Sequence, residues 1–259
     1  MSTPTTPRTS TTPRAATQQR RIVTQAGFEV GSLLRNGEQL LVSLVLPAMA
    51  LVGLSLTTSP SLGPGTRIDV ATAGVIALCV ISTAFTAQAI STGFDRRYAV
   101  LRYLGVTPLG RGGLVAAKVL ATLAAEVLQI GVIAALGLVL GWQPETSGIA
   151  YAVLFVVVGT WTFVALALLL AGTLRAEAVL AIANLVWVLL LGLGGVIVPR
   201  TELPPGVSHV AAYLPSAGLA DGLRSALVDG RLNLPALGVV LAWGLVATVL
   251  AARLFRFDD

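Results

Sequence analysis

Apolar and polar positions follow one another along the chain in long blocks. Six apolar segments are separated by short polar stretches, and each is long enough to cross a hydrocarbon core of about 30 Å as a helix that rises about 1.5 Å per residue. We therefore predict an all-α, polytopic membrane protein with six transmembrane helices. The predicted spans cover residues 39–57, 70–92, 114–140, 148–171, 178–198 and 232–252.

The segment before the first span, residues 21–36, has apolar residues at helical spacing and polar residues elsewhere on the helix. The apolar positions are Ile22, Val23, Ala26, Val30, Leu33 and Leu34, and the polar ones are Gln25, Glu29 and Arg35. This pattern predicts an N-terminal amphipathic helix in the headgroup plane, with an extension of the first span as the alternative. Residues 1–20 are rich in Thr, Ser and Pro and predict a disordered tail, so the membrane domain covers residues 21–256.

The composition decides the class of protein. Of the 259 residues 55% are hydrophobic and only 11% are charged, whereas soluble domains carry about 25% charged residues. Most of the surface must therefore face lipid. The net charge of +5 is spread through short loops rather than gathered on one face, which argues against a nucleic-acid partner. With one cysteine, Cys79, and one histidine, His209, we expect no disulfide and no metal site within a single chain.

The basic residues predict the orientation in the membrane. Twelve of the 16 arginines fall in the tail, the first helix and the loops on one side, and four fall on the other side. Cytoplasmic loops carry the excess of basic residues, so an even number of spans places both termini in the cytoplasm. Because Lys118 is the sole lysine, the composition also fits a GC-rich bacterial genome and therefore a bacterial inner membrane.

Two loops contain proline-bounded elements. On the predicted cytoplasmic side, Thr107 and Pro108 interrupt residues 94–111, which predicts a short basic helix, a break and the start of the third span. On the outer side, prolines at 204, 205 and 215 bound two helices that are too short to cross the bilayer. We expect these two to form a re-entrant helical hairpin in the outer part of the membrane, held by neighbouring protein.

This order of elements resembles the permease family of the second type of ATP-binding-cassette transporters, over residues 21–256. The most specific part is the stretch from Arg97 to Lys118, which contains Leu-Arg-Tyr-Leu-Gly-Val-Thr-Pro-Leu at 101–109 and then Arg111. The segment from Leu214-Pro215 to Arg224 comes next. Members of that family dimerise and bind two separate ATPase subunits. The resemblance therefore implies an exporter that moves an amphipathic or hydrophobic substrate outward, such as a drug, lipid, glycan precursor or haem-like molecule.

The resemblance also implies roles for particular residues. Residues 21–36 would be the connecting helix, with Arg21, Glu29 and Arg35, and residues 95–106 the coupling helix that touches the ATPase. The expected coupling residues are Arg96, Arg97, Tyr98, Leu101, Arg102, Tyr103, Leu104, Thr107 and Pro108. The expected outer-gate residues are Tyr213, Pro215, Asp221 and Arg224. Many relatives have an acidic residue well inside the coupling segment, whereas this chain has Asp95 only at its start.

The sequence has no Gly-x-x-x-x-Gly-Lys-Ser/Thr phosphate-binding loop, and its sole lysine lies inside a predicted span. We therefore expect the chain itself to be no enzyme and to hold no cofactor, with ATP and Mg²⁺ bound by the partner ATPase. A basic helix beside the bilayer suits an acidic cleft on such a partner. The alternative is that its arginines only fix the topology and contact anionic membrane lipid.

Polar residues inside the spans are the remaining candidates. Glu126 lies near the middle of the third span, and Gln129 follows on nearly the same face. Burying a carboxylate there costs at least about 2 to 3 kcal/mol, so Glu126 is either functional or bonded to another polar group. Its candidate partners are Gln129, Gln88, Thr160, Thr162 and Asn184. As rival functions, an ion- or proton-coupled carrier would use Glu126 as its protonation site, and a membrane-embedded assembly factor would handle a lipid or cofactor. Lys118 is expected to reach the cytoplasmic interface.

Overall fold

The computed structural model describes residues 17–35, 37–98 and 110–254, and within these it leaves out the side chains of residues 32–43 and 111. The described part of the chain forms helices and contains no strand, as predicted. The helices are α1 (Gln18–Arg35), α2 (Gly37–Leu56), α3 (Arg67–Arg97), α4 (Gly110–Val139), α5 (Ile149–Thr173), α6 (Ala176–Leu193), α7 (Pro205–Ala211), α8 (Pro215–Leu227) and α9 (Leu234–Leu254).

Five helices are long and apolar enough to cross a membrane, namely α3, α4, α5, α6 and α9. Within the described residues the apolar part of α2, Leu44–Leu56, is shorter than these five. The multi-pass helical architecture is therefore confirmed, while the count of six spans stays a prediction. The orientation also stays a prediction, so we name the two ends of the bundle by their helices. The α1 end holds α1, the last turn of α3 and the first turns of α4, and the α8 end holds α7 and α8.

Several boundaries differ from the predicted ones. The first helix starts at Gln18, so residues 18–20 belong to it rather than to the predicted tail, and residues 1–16 lie outside the described part. The fifth predicted span reaches residue 198, but α6 ends at Leu193. Gly194 caps α6, and Gly195 follows with a φ of 66°, a left-handed conformation that ends helices and that glycine adopts at little cost.

Helix α3 forms the centre of the bundle. Every residue from Val70 to Val80 is buried, because α2, α4, α5 and α8 pack against this part of the helix, while α6 packs against the part that follows it. Its middle, Ile81–Ala87, is a π-helical segment, which locally rotates the side chains relative to a regular α-helix and is frequent at functional sites. Most polar side chains in the inner part of α3 are accordingly buried against neighbouring helices, among them Thr72, Thr83, Gln88 and Thr92.

The two short helices predicted after the fifth span are present as α7 and α8. Helix α8 is buried along most of its length and packs between α3, α5 and α9. Its approach to α5 is very close, since a Cβ at Gly222 would lie 2.1 Å from the ring of Phe155. Helix α8 is thus held by neighbouring protein, as a re-entrant element requires. Its depth in a bilayer stays a prediction.

Candidate coupling and gating sites

A buried lysine connects three helices at the α1 end. Lys118 is only 1% exposed, and its Nζ lies 3.4 Å from Oε2 of Glu29 on α1 and 3.7 Å from Oδ2 of Asp95 on α3. Glu29 is also held from its own helix, because Nε2 of Gln25 donates to its Oε1 over 3.3 Å. We call Glu29, Asp95 and Lys118 the lysine cluster. It links α1 and the last turn of α3 to α4.

The lysine cluster corrects one expectation. We predicted that Lys118 reaches outward to the interface, but the side chain is enclosed and ion-paired inside the protein. The physical reason is that two carboxylates from different helices balance the ammonium where it lies. Of the other residues predicted for the connecting helix, Arg21 is partly buried and Arg35 is the last residue of α1, its side chain lying outside the described part.

Arg96 binds the end of another span. The side chain is 6% exposed, and its guanidinium donates to the carbonyl oxygens of Ala171 (2.8 Å) and Leu174 (2.7 Å). These carbonyls lie at the C-terminus of α5, where backbone acceptors have no partner within the helix and the helix dipole favours a cation. Arg96 therefore has a structural role within the chain. Its expected role in contacting the ATPase stays a prediction.

Arg97 and Tyr98 lie at the surface of the α1 end. Arg97 pairs with Glu177, in the first turn of α6, and both side chains are exposed. Tyr98 is 69% exposed and stacks on Phe94, with the ring centroids 6.3 Å apart. Residues 95–97 are the last turn of α3, not the start of a separate helix as we expected. The other coupling candidates lie outside the described residues, namely Leu101, Arg102, Tyr103, Leu104, Thr107 and Pro108.

Three hydrogen bonds form a buried polar ladder in the middle of the bundle. The ladder residues on α4 are Thr122, Glu126 and Gln129, which share one face of the helix with Lys118. From α3, Nε2 of Gln88 donates to Thr122 (3.2 Å) and Oγ1 of Thr83 donates to Oε1 of Gln129 (2.8 Å). Thr160 on α5 bonds to Oε2 of Glu126 (2.5 Å). The ladder therefore sets how α4 faces α3 and α5.

Glu126 is fully buried, and in the described part of the chain its Oε1 has no hydrogen-bond partner. Of the partners that the sequence suggested, only Thr160 bonds to it. Asn184 is a wrong candidate, because it is exposed on α6 and donates to the carbonyl of Leu180 in its own helix over 2.8 Å. The rotation of α6 about its own axis decides whether Asn184 is buried, since a residue near the middle of a span can face either the bundle or its surroundings.

We predict that Glu126→Gln changes the free energy of unfolding by less than about 1 kcal/mol, because the amide can keep the bond to Thr160. Glu126→Ala should cost about 2 to 3 kcal/mol, since it removes that bond and leaves a cavity. Thermal unfolding of the detergent-solubilised protein measures both changes. Glu202→Ala is the control, because Glu202 is exposed. Equal damage by Gln and Ala would instead mean that the carboxyl itself is required.

A second charged cluster lies at the α8 end. Arg224 on α8 is 8% exposed, and its guanidinium donates to the carbonyls of Gly195 (2.7 Å), Val196 and Ile197 (3.4 Å), just after α6. Asp221 lies 3.7 Å from Arg224 and accepts a bond from Nε of Arg200 over 2.9 Å. Burial lowers the pKa of Arg224 to about 10 while Asp221 opposes the shift, so the side chain stays charged at neutral pH.

The arginine cluster, Arg200, Asp221 and Arg224, depends on a glycine in α3. A Cβ at Gly74 would lie 2.5 Å from the carbonyl oxygen of Val196 and 2.9 Å from Nη2 of Arg224, so only glycine admits both groups. The other predicted gate residues lie beside this cluster. Pro215 is buried in the first turn of α8, and Tyr213 is 75% exposed, with its carbonyl accepting a bond from the indole of Trp243.

Sequence reasoning missed Arg200 and Gly74 as members of the second site, and it missed which charged residues pair in both clusters. Asp221 and Arg224 have a spacing of three residues that signals contact on a helix, but no local pattern links either of them to Arg200 or Gly74. Likewise, the apolar periodicity of α1 placed Glu29 on its polar side without naming Lys118 as its partner. These contacts join residues that are far apart in sequence, so only the packing of the helices reveals them.

Comparison with known proteins adds one positive finding. The sequence model of the ABC-2 type transporter family matches residues 18–228, which is most of the chain. The matched region begins with α1 and ends just after α8, so it contains the lysine cluster, the polar ladder and the arginine cluster. A search of curated proteins finds no match.

Proposed function

Since the chain belongs to the ABC-2 type transporter family, we propose that it is the membrane subunit of an exporter driven by two separate ATPase subunits. Family membership makes it a transport subunit and implies association with an ATP-binding partner in general. The finer proposal is that a dimer of this permease moves an amphipathic or hydrophobic substrate outward across a bacterial inner membrane, with both termini in the cytoplasm. Drugs, lipids, glycan precursors and haem-like molecules are the substrate classes that fit.

The single observation that carries the coupling proposal is the lysine cluster. An ATPase that docks on the segment after Tyr98 would push on the last turn of α3, and Asp95 in that turn is ion-paired to Lys118 on α4. The same lysine holds α1 through Glu29. Force applied to α1 or to the last turn of α3 would therefore reach α4. From α4 it would reach α5 and the middle of α3 through the polar ladder. Rigid-body movement of packed helices is a common way to convert such a push into two alternative states.

The exposed side of α6 supports the proposal that a second permease chain is bound. Only about a fifth of this helix is buried within the chain, at 22% of its most apolar stretch. Asn184, near its middle, is exposed, although a polar amide facing lipid is unfavourable. In a dimer that buries this face, the Asn184 side chain would lie against protein. Hydrogen bonds from such polar side chains to a neighbouring helix favour association of membrane helices.

The arginine cluster is proposed to hold the α8 end closed, as an outer gate would. Arg224 ties α8 to the segment after α6, and Arg200 in that segment is tied back to Asp221. Outward release of substrate would require these bonds to open together. Because they are made to backbone carbonyls and to one carboxylate, they can be broken and formed again without any chemical change.

A charge-swap experiment tests the docking proposal at Arg97. We expect Arg97→Glu to lower transport and partner-stimulated ATP hydrolysis at least about tenfold, because a like charge across an interface costs several kcal/mol. The structure also shows Arg97 paired with Glu177, so the loss alone could be structural. The double variant Arg97→Glu with Glu177→Arg restores that internal pair. Transport in reconstituted vesicles and co-purification of the ATPase are measured for both variants.

Docking predicts that the double variant stays defective, because its pair is restored while the charge offered to the partner remains reversed. Recovery of transport in the double variant would contradict the docking role of Arg97 and leave it a purely internal contact. Glu177→Gln serves as the control, because it removes the internal pair but keeps Arg97.

A proton-coupled carrier is the second candidate, and the unpartnered Oε1 of Glu126 is the observation that favours it. The two candidates differ in their energy source. Transport that depends on the ATPase subunit and survives collapse of the pH gradient supports the exporter. Transport that a pH gradient drives without ATP, and that Glu126→Gln abolishes, supports the carrier.

A further inference from the structure

The hydroxyl of Thr160 lies between two oxygen atoms and has one hydrogen to share between them. Its Oγ1 is 2.5 Å from Oε2 of Glu126 on α4 and 2.7 Å from the backbone carbonyl oxygen of Val156, one turn earlier in α5. Both distances are those of hydrogen bonds between oxygens. A hydroxyl carries a single hydrogen, and a carbonyl oxygen can only accept. One of the two bonds must therefore receive its hydrogen from another group.

The hydrogen of Thr160 belongs with the Val156 carbonyl. Threonine inside a helix commonly donates to the carbonyl oxygen four residues earlier. Thr72 and Thr173 of this chain make the same bond to Ile68 and Leu169. If Thr160 donated to Glu126 instead, its oxygen would lie 2.7 Å from the carbonyl oxygen of Val156 with no hydrogen between them. The bond to Glu126 therefore needs a hydrogen on Oε2.

The surroundings of Glu126 suit a carboxyl group that carries this hydrogen. The side chain is fully buried, and within the described part of the chain Thr160 is its hydrogen-bond partner while Oε1 has none. In a carboxylate, Oε1 would be a buried, charged oxygen without a donor, which is very unfavourable. In a neutral acid, Oε1 is a carbonyl oxygen, and leaving it without a donor costs much less.

The titratable and charged groups around Glu126 provide no cation to balance a carboxylate. On α4, Lys118 lies eight residues away, about 12 Å along the helix axis, and it is paired within the lysine cluster together with the charged end of α3. The titratable neighbour on α3 is the thiol of Cys79. On α5 the titratable residue is Tyr151, in the first turn, and the side chains described on α2, those of Leu44–Leu56, include none. The charged side chains described on α1 lie at the α1 end.

We propose that Glu126 is a neutral carboxylic acid at physiological pH and donates its hydrogen bond to Oγ1 of Thr160. The hydrogen bonds then run in one direction, from Glu126 on α4 to Thr160 and from Thr160 to the Val156 carbonyl. They link α4 to α5 without placing a charge in the middle of the bundle. The proton is part of the fold, whereas a proton-coupled carrier has to release it and take it up again. The proposal involves neither ATP nor a transported substrate, so it holds or fails separately from the exporter proposal.

Infrared spectroscopy of the intact chain in phosphatidylcholine vesicles tests the proton. A protonated carboxyl has a carbonyl stretching band that a carboxylate lacks, and the difference spectrum between wild type and Glu126→Gln isolates this band. We expect the wild type to show it without change from about pH 5 to pH 8, the range in which a proton-exchanging group would titrate. Glu202→Gln is the matched control. Glu202 is exposed, and an exposed glutamate is ionised at neutral pH, so its difference spectrum should lack the band there.

Two variants of Thr160 test the direction of the bond and leave Glu126 in place, so they remain informative even if Glu126→Gln does not fold. Thr160→Val removes the acceptor and should shift the band to higher frequency, because the acid hydrogen is then unbonded. Thr160→Ser keeps a hydroxyl and should leave the band where it is.

Three results would overturn the proposal. Absence of the band from the wild type at neutral pH would mean that Glu126 is a carboxylate and accepts its bond from Thr160. A band that fades within the tested pH range would mean that the proton exchanges, as a carrier requires. Identical bands in Thr160→Val and Thr160→Ser would mean that Thr160 is not the acceptor.

Discussion

Replacing Arg224 with alanine is expected to lower the free energy of unfolding by about 3 to 5 kcal/mol, the largest loss predicted for any single residue of this chain. The guanidinium is buried and serves three carbonyls of the segment after α6, together with Asp221. Without it, those carbonyls remain in a site that Gly74 has shaped to be tight and that water cannot easily enter. The melting temperature in detergent measures the change.

Arg224→Lys separates charge from geometry. Lysine keeps the cation but cannot donate to several carbonyls in one plane, so we expect a smaller loss of stability than for alanine. Asp221→Asn is the companion variant, because it removes the charge partner and leaves the bonds to the carbonyls in place. A melting temperature of Arg224→Ala within experimental error of the wild type would mean that the arginine cluster does not hold the α8 end.

Replacing Lys118 with methionine is expected to give the second large effect, about 2 to 3 kcal/mol in the free energy of unfolding. Methionine has a similar volume, so the loss reports on charge: Glu29 and Asp95 would face each other without the ammonium between them. The cost is lower than for a fully enclosed pair because both carboxylates retain some contact with solvent, at 15% and 36% side-chain exposure.

A triple variant distinguishes stability from coupling at this cluster. Lys118→Met combined with Glu29→Gln and Asp95→Asn removes all three charges, and replacing a whole buried set by neutral groups is often nearly neutral for stability. On the coupling proposal, the triple variant recovers its melting temperature but transports about tenfold less per ATP hydrolysed, in the range of ordinary coupling energies. Lys118→Arg, which keeps the charge, is the control. Full recovery of transport in the triple variant would refute transmission through the cluster.

The two functional ends differ in how far they could be predicted. At the α8 end, three prolines and the spacing of Asp221 and Arg224 are local signals, and the helices they predict are present. At the α1 end, the basic loop predicted the right region but not the separate roles of its arginines. Arg96 caps α5 while Arg97 is exposed, although the two are neighbours in sequence. Consecutive helical residues point about 100° apart, so one faces the bundle and the other does not.

The amino-acid sequence alone determined the class of protein, the approximate positions of the five long apolar helices, the amphipathic first helix, the two short helices α7 and α8, and the family. Each of these follows from properties that are local, such as the apolarity of about 20 successive residues or a proline that ends a helix. The tertiary structure alone decided which polar groups meet. Lys118 is paired with Glu29 and Asp95, Glu126 bonds to Thr160, and Asn184 is exposed and bonds within its own helix. The reason is that hydropathy places a helix in the membrane but leaves its rotation about its own axis to the packing of its neighbours.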